Sequence, residues 1–97
     1  MDIKRISEME ERLDRCAAAV KALGESMDRL DEVMDEFSEV SDYYGSEEWY
    51  DDREGDVPEN VKAGVLSEDL PYDMIMDVRD AAFRMLEMAT DILKNRM

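Results

Sequence analysis

The sequence contains no histidine and only one cysteine, Cys16, among its 97 residues. Without histidine, the chain lacks the commonest general base and metal ligand near neutral pH. A single thiol cannot form an intramolecular disulfide, and the sequence contains no cysteine cluster, phosphate-binding loop or dinucleotide-binding fingerprint. We therefore predict that the protein is not an enzyme and that it has no catalytic residues, no cofactor and no metal site.

Basic residues are also scarce, because 12 Lys and Arg face 27 Asp and Glu, which gives a net charge of −15 at pH 7. A surface this negative repels nucleic-acid phosphates and anionic lipid head groups, so we expect no direct binding to nucleic acid or to membranes. Long apolar runs and a signal-peptide core are absent as well. Together with the single cysteine, these absences predict a cytoplasmic protein.

The strongest pattern that is present runs from residue 6 to residue 44. Steps of three and four residues alternate there, and eleven of the twelve positions are apolar or aromatic: Ile6, Met9, Leu13, Cys16, Val20, Leu23, Met27, Leu30, Met34, Phe37, Ser41 and Tyr44. We call these positions the heptad seam, because a 3.5-residue repeat is typical of a coiled-coil helix whose a and d positions face a partner. The pattern predicts a long helix over residues 3–44, and we favour Asp2 as its N-cap over Ser7.

Gly24 leaves two alternatives open for this helix. A turn at Gly24 would join two antiparallel helices and favour a closed monomer. The heptad seam keeps its phase on both sides of Gly24, however, and one glycine inside a helix costs only about 1 kcal/mol. We favour a continuous helix, which indicates an elongated coiled-coil homodimer.

Gly45 predicts the end of the long helix and the start of an acidic connection over residues 45–66. This connection contains a short helix from Glu47 to about Arg53, which Ser46 caps. We predict a C-terminal helix over residues 67–96 that packs back onto the rest of the chain. We also expect this helix to be covered on more than one side, because a broad apolar stripe follows its length. The stripe consists of Ile75, Val78, Ala82, Met85, Ala89 and Ile92. The predicted fold is an all-α helical bundle that forms a single domain over residues 1–97.

Three groups of side chains are candidates for binding. The aromatic cluster is either an interaction surface or an anchor that pins the connection to the helix end, and we favour the anchor: Tyr43, Tyr44, Trp49 and Tyr50. The acidic face is a set of carboxylates on the long helix: Asp28, Asp31, Glu32, Asp35, Glu36, Glu39 and Asp42. A divalent cation could bind the acids of residues 47–56, but their spacing departs from an EF-hand loop and favours a solvated segment.

Two short segments carry a resemblance to a known family. They read YYGSEEW at residues 43–49 and GVLSED at residues 64–69, and RISEME at 5–10 and RML at 84–86 fit the same pattern. The chain resembles a family of small bacterial proteins classed as a domain of unknown function. The resemblance implies a short, soluble, acidic, helical protein, and it carries over no catalytic or binding residues.

These observations leave two classes of function. The heptad seam favours a protein–protein interaction or self-association module, whose partner is another protein or a second copy in a homodimer. The alternative is a nucleic-acid mimic, in which the acidic face occupies the basic groove of a nucleic-acid-binding protein.

Overall fold

The computed structural model describes residues 1–97 as helices joined by turns, without a strand. Four α-helices follow one another: α1 (Ile3–Glu32), α2 (Met34–Tyr43), α3 (Glu47–Glu54) and α4 (Asp69–Asp91). A 3₁₀ turn, Gly64–Leu66, precedes α4, and a π-helical turn, Ile92–Arg96, follows it. The predicted all-α class with a long N-terminal helix is confirmed. The chain divides into two compact units, residues 1–37 and residues 38–97.

Asp2 caps the start of α1, because its carboxylate accepts a hydrogen bond of 3.0 Å from the backbone N–H of Arg5. This confirms Asp2 rather than Ser7 as the N-cap. The helix then passes through Gly24 without interruption, so the alternative of a hairpin that turns at Gly24 is wrong. The seam keeps its phase there because the backbone stays helical.

The long helix is interrupted at Val33, although no residue typical of a turn is present there. Val33 has φ −104° and ψ 4°, and its N–H bonds to the carbonyl of Leu30 at 3.1 Å, a three-residue step. Val33 is β-branched, and Asp31 before it and Asp35 after it are like charges four residues apart. Both features weaken helical geometry at this point. The single helix predicted for residues 3–44 is therefore two consecutive helices.

Unit 1, residues 1–37, contains no buried residue. The larger seam side chains expose about half of their surface or more: Ile6 45%, Met9 51%, Leu13 60%, Val20 68%, Leu23 55% and Met27 52%. One helix cannot bury its own apolar stripe, because the stripe is a surface of that helix. The heptad seam in this unit is consequently in contact with solvent.

Unit 2, residues 38–97, begins with the end of α2 and a tight turn. Gly45 has φ +80°, the left-handed conformation that ends many helices, and the N–H of Ser46 bonds to the carbonyl of Tyr43 at 3.0 Å. Ser46 also caps α3 by accepting a hydrogen bond from the N–H of Trp49 at 3.2 Å. The predicted helix stop and the predicted cap are both confirmed.

The C-terminal helix packs back through its first turns, which contact the 3₁₀ turn. It begins at Asp69, two residues later than predicted, although the Ser67 hydroxyl accepts a hydrogen bond from the N–H of Leu70 at 3.0 Å. Pro71 is buried in the first turn, where its missing N–H costs no helical hydrogen bond.

The second half of α4 departs from expectation. Residues 81–90 are all exposed, including the stripe residues Ala82, Met85 and Ala89. We expected this helix to be covered on more than one side, but the rest of the chain leaves its second half exposed. None of the helices combines the length and the apolar character that crossing a membrane requires.

The two glycines in helical surroundings make a matched test of this backbone. We expect Gly45→Ala to lower the free energy of unfolding by about 1–2 kcal/mol, because alanine is strained at φ +80°. Gly24→Ala is the control: an added methyl group meets nothing within 4 Å there, so stability should rise by up to about 1 kcal/mol. Denaturant titrations followed by circular dichroism measure both. Equal effects of the two substitutions would contradict the assigned backbone.

Candidate functional site

Trp49 is the centre of unit 2 and its only buried large apolar side chain, with 3% of its surface exposed. Its indole N–H donates a hydrogen bond of 2.9 Å to the carbonyl of Val65, which belongs to the 3₁₀ turn. The rings of Tyr44 and Tyr50 approach it edge-on, each with a centroid separation of 5.0 Å. Such contacts contribute about 0.5–1.5 kcal/mol per pair beyond the burial itself. Trp49 therefore joins α3 to the 3₁₀ turn.

A second set of contacts joins the start of α4 to the residues around Trp49. The Tyr44 hydroxyl donates to the backbone carbonyl of Glu68 at 2.8 Å. Arg53 lies over the Trp49 ring, with its guanidinium carbon 4.5 Å from the ring centroid, and it pairs with the Glu68 carboxylate at 3.3 Å. The Arg53 and Glu68 side chains expose 34% and 71% of their surface, so the ion pair adds little stability and mainly orients Arg53.

The segments YYGSEEW and GVLSED therefore meet in space. The first supplies Tyr44 and Trp49, and the second supplies the two carbonyls that they bind. Gly64 begins the second segment, and a Cβ atom added there would lie 3.0 Å from the Leu70 side chain. A residue larger than glycine would push Leu70 away from the 3₁₀ turn.

Tyr43 makes a separate contact with α3. Its hydroxyl donates a short hydrogen bond of 2.5 Å to the Asp52 carboxylate. This bond, with smaller contributions from partial desolvation and from the negative charges of Asp52 and Glu48, raises the pKa of Tyr43 from 10.0 to about 12. The neutral phenol is favoured because ionisation would place a second negative charge beside a carboxylate.

The four predicted aromatic residues thus differ in exposure. Trp49 is buried, Tyr43 and Tyr44 are half-buried with engaged hydroxyls, and Tyr50 exposes 56% of its surface. This arrangement favours the anchoring role over the interaction surface. An interaction role for the cluster stays a prediction, and Tyr50 is its accessible member. Sequence reasoning missed Arg53, although its position four residues after Trp49 on a helix was the available signal.

An open groove lies beside Tyr43 between α3 and the segment that follows it. Its volume is about 400 Å³. Its walls combine the carboxylates of Asp51, Asp52 and Asp56 with apolar side chains of Val57, Pro58 and Val61. The groove follows the surface of unit 2.

The acidic side chains remain separate from one another. All seven residues of the acidic face are exposed, and none forms a salt bridge, because the two salt bridges of the chain are Arg53–Glu68 and Arg96–Asp91. No three Asp, Glu or Cys side chains converge in a way that could hold a metal ion, including those of residues 47–56. Cys16 is exposed on α1 at its seam position.

Comparison with protein families gives one match, to the family described as "Domain of unknown function (DUF4298)", over residues 6–88. The chain belongs to this family. The match extends from the first residue of the heptad seam through the Trp49 contacts and most of α4. It confirms the resemblance to a family of unknown function, and the family description assigns no activity. No curated protein matches the chain.

Replacing Trp49 tests its anchoring role. We expect Trp49→Ala to lower the free energy of unfolding by about 3–5 kcal/mol, because a buried aromatic ring and its hydrogen bond are lost together. Tyr50→Ala is the matched control, since Tyr50 neighbours Trp49 but is exposed. Its effect should be smaller, about 0.5–1.5 kcal/mol, because mainly its edge-on contact with the Trp49 ring is lost. Thermal melts followed by circular dichroism measure both. Unchanged stability in Trp49→Ala would instead support a surface role for the cluster.

The Tyr43–Asp52 contact makes stability depend on alkaline pH. Because the folded state raises the pKa of Tyr43 from 10.0 to about 12, it holds the phenolic proton more tightly than the unfolded chain. The resulting stabilisation is complete below pH 10 and is lost as the pH rises towards about 12. Tyrosinate absorbance should show one of the four tyrosines ionising late.

Two variants test whether the late-ionising tyrosine is Tyr43. Asp52→Asn should lower the pKa of Tyr43 towards 10, because the neighbouring negative charge is gone. Glu54→Gln is the control on the same helix, and it should leave the late step in place. If all tyrosines of the unmodified protein ionise together near pH 10, the contact does not persist in solution.

Proposed function

We propose that this protein is a protein–protein interaction module that self-associates or docks a partner through the heptad seam of α1. The observation that supports this proposal is the exposure of the seam over Ile6–Leu30, 25 residues of unbroken helix. An apolar heptad repeat of more than three heptads is the sequence signature of a helix that pairs with another helix. The proposed role is non-enzymatic and cytoplasmic.

The energetics of α1 also favour a partner. A helix gains most of its stability from packing of its apolar face, and isolated helices are only marginally stable in water. In α1 no residue is buried, so no packing offsets the conformational entropy lost on ordering 30 residues. Burial of apolar surface contributes about 25 cal/mol per Å². A partner helix along the seam would supply this stabilisation.

The apolar stripe of α4 offers a second surface of the same kind. Met85 in α4 and Ile92 in the π-helical turn that continues the stripe each expose 42% of their surface. Leu86 on the flank of the stripe exposes 66%. These side chains lie in unit 2, beyond the turns that pack against the 3₁₀ segment. We propose that α4 takes part in association as well, which accounts for an apolar surface that its own unit leaves exposed.

A nucleic-acid mimic is the second candidate, and the acidic face is the observation that favours it. Its seven carboxylates are exposed and free of salt bridges, so their charge is available to a basic partner. Spaced carboxylates on a helix resemble a row of phosphates in charge but not in geometry. We rank this function second, because charge of one sign also serves simply to keep a protein in solution.

Substitutions within the seam test the first proposal. We expect the unmodified protein to associate in sedimentation equilibrium and the double variant Leu13→Gln/Leu23→Gln to raise the dissociation constant about 100-fold or more, because apolar burial is lost in each copy. Ala18→Gln/Ala22→Gln is the matched control, since both positions lie outside the seam on the same helix. Trp49 fluorescence verifies in each variant that unit 2 is folded.

Salt concentration separates the two candidate functions. Binding through the acidic face should weaken steeply when the salt concentration rises from about 0.1 M to 1 M, because screening shortens the Debye length from about 10 Å to 3 Å. Association through the apolar seam should persist or strengthen over the same range, since screening also reduces repulsion between acidic copies. A monomer at every salt and protein concentration would rule out self-association and leave docking to another protein.

A further inference from the structure

The charge along unit 1 changes from one end of the heptad seam to the other. Residues 2–15 contain four basic and five acidic side chains, whereas residues 28–36 contain one basic and five acidic side chains. Between them, residues 16–24 carry a single charge, Lys21. Unit 1 therefore presents a seam with a mixed-charge end, a nearly uncharged middle and an acidic end.

This asymmetry distinguishes the two ways in which a second copy could lie along the seam. A parallel copy would bring the acidic ends of both helices to the same level, so that like charges face each other. An antiparallel copy would place the basic residues of one end beside the acidic residues of the other. The net charge is −1 over residues 2–15 and −4 over residues 28–36. Within a Debye length of about 8–10 Å, the repulsion between two −4 ends in the parallel arrangement is therefore larger than that between a −1 and a −4 end in the antiparallel one. The charge distribution favours an antiparallel second copy of α1 over a parallel one.

One antiparallel register pairs every seam residue of α1. In antiparallel coiled coils an a position faces a d position, and four such pairs account for all eight seam residues between Ile6 and Leu30: Ile6 with Leu30, Met9 with Met27, Leu13 with Leu23, and Cys16 with Val20. The break at Val33 then lies just outside the paired region.

The residues beside the seam agree with this register. At the midpoint, Ala17 faces Ala17 of the second copy, and Ala19 faces Ala19. Their small side chains allow close approach of the two helices. Glu10 faces Gly24 of the second copy, and Lys4 and Arg5 lie level with its acidic residues 31 and 32. A shift by one heptad towards the acidic ends would instead place Glu10 opposite an aspartate, two like charges in contact.

We propose that the heptad seam of α1 binds α1 of a second copy in antiparallel orientation, with Cys16 facing Val20 of that copy. This inference rests on the proposed function, because it takes the seam as the interface and adds the partner, its direction and its register. The resulting homodimer is held by apolar contacts along eight layers and is oriented by the difference in charge between the two ends of α1.

Cys16 is exposed and is the only thiol, so it reports directly on the arrangement. A disulfide requires Cα atoms within about 7 Å of each other. In the proposed register the two Cys16 residues are offset by four residues, about 6 Å along the axis. Facing seam Cα atoms are already about 4–5 Å apart laterally, which is the 8–10 Å between helix axes less two Cα radii of about 2.3 Å. The axial offset increases the separation of the two Cys16 Cα atoms to roughly 7–8 Å, which disfavours a cross-link between them. In a parallel pair the two thiols would face each other and cross-link readily.

The experiment is oxidative cross-linking of the full-length protein mixed with a variant of different size. The variant Cys16→Ala/Val20→Cys carries a solubility tag, so that mixed dimers separate from the others by electrophoresis. We expect the mixed disulfide to form at least ten times faster than either homodimeric disulfide. The variant Cys16→Ala/Ala18→Cys is the matched control, and its thiol outside the seam should give no mixed disulfide above background.

Sedimentation equilibrium of the same samples makes the outcomes distinct. A dimer that forms the mixed disulfide supports the proposal. A dimer in which the unmodified protein cross-links through Cys16 overturns the orientation and leaves the proposed self-association intact. A dimer that forms neither disulfide overturns the register and indicates another pairing, such as α1 with α4. A monomer at all concentrations overturns both this inference and self-association.

Discussion

The apolar seam of α1 is exposed to solvent, and the hydrophobic effect that favours its burial is the physical constraint that bears most on this chain. Residues Ile3–Glu32 form one helix with an unbroken heptad pattern and without a buried side chain. The hydrophobic effect favours burial of that stripe by about 25 cal/mol per Å², whereas an isolated helix offers nothing to cover it. A partner helix along the seam would cover this stripe.

Unit 2 satisfies the same physical requirement in a different way. Its core is small, and Trp49 is its centre: the ring is buried, and its N–H bonds to the carbonyl of Val65. Tyr44 and Arg53 then join the start of α4 to this centre through Glu68. Long stretches of acidic sequence can remain solvated because a few aromatic contacts hold the connection in place. The segments YYGSEEW and GVLSED are the two sides of this contact.

Local features of the fold were predictable from sequence because their chemistry is local. Asp2 and Ser46 bond to backbone N–H groups three residues away, and Gly45 adopts the left-handed conformation that its lack of a side chain allows. The break at Val33 was not predictable in the same way. It arises from several weak effects, β-branching and like-charge repulsion, rather than from a residue that forms turns.

The contacts of the aromatic cluster were only partly predictable. Sequence favoured an anchoring role for Trp49 over a surface role, and its burial agrees with that interpretation. Its acceptor is a backbone carbonyl 16 residues away, however, and a backbone carbonyl leaves no trace in the side-chain sequence. Sequence also indicated that α4 would be covered, because the stripe is there, but a stripe does not specify whether its own chain or another supplies the cover.

Hydrogen exchange of α1 as a function of protein concentration tests the central claim most directly. If the heptad seam pairs with a second copy, the amides between Ile6 and Leu30 should become protected as concentration rises through the dissociation constant. The amides around Trp49 in unit 2 should exchange at the same slow rate at every concentration. Rapid exchange throughout α1 at high concentration, with unit 2 still protected, would contradict the claim that the seam is a self-association interface.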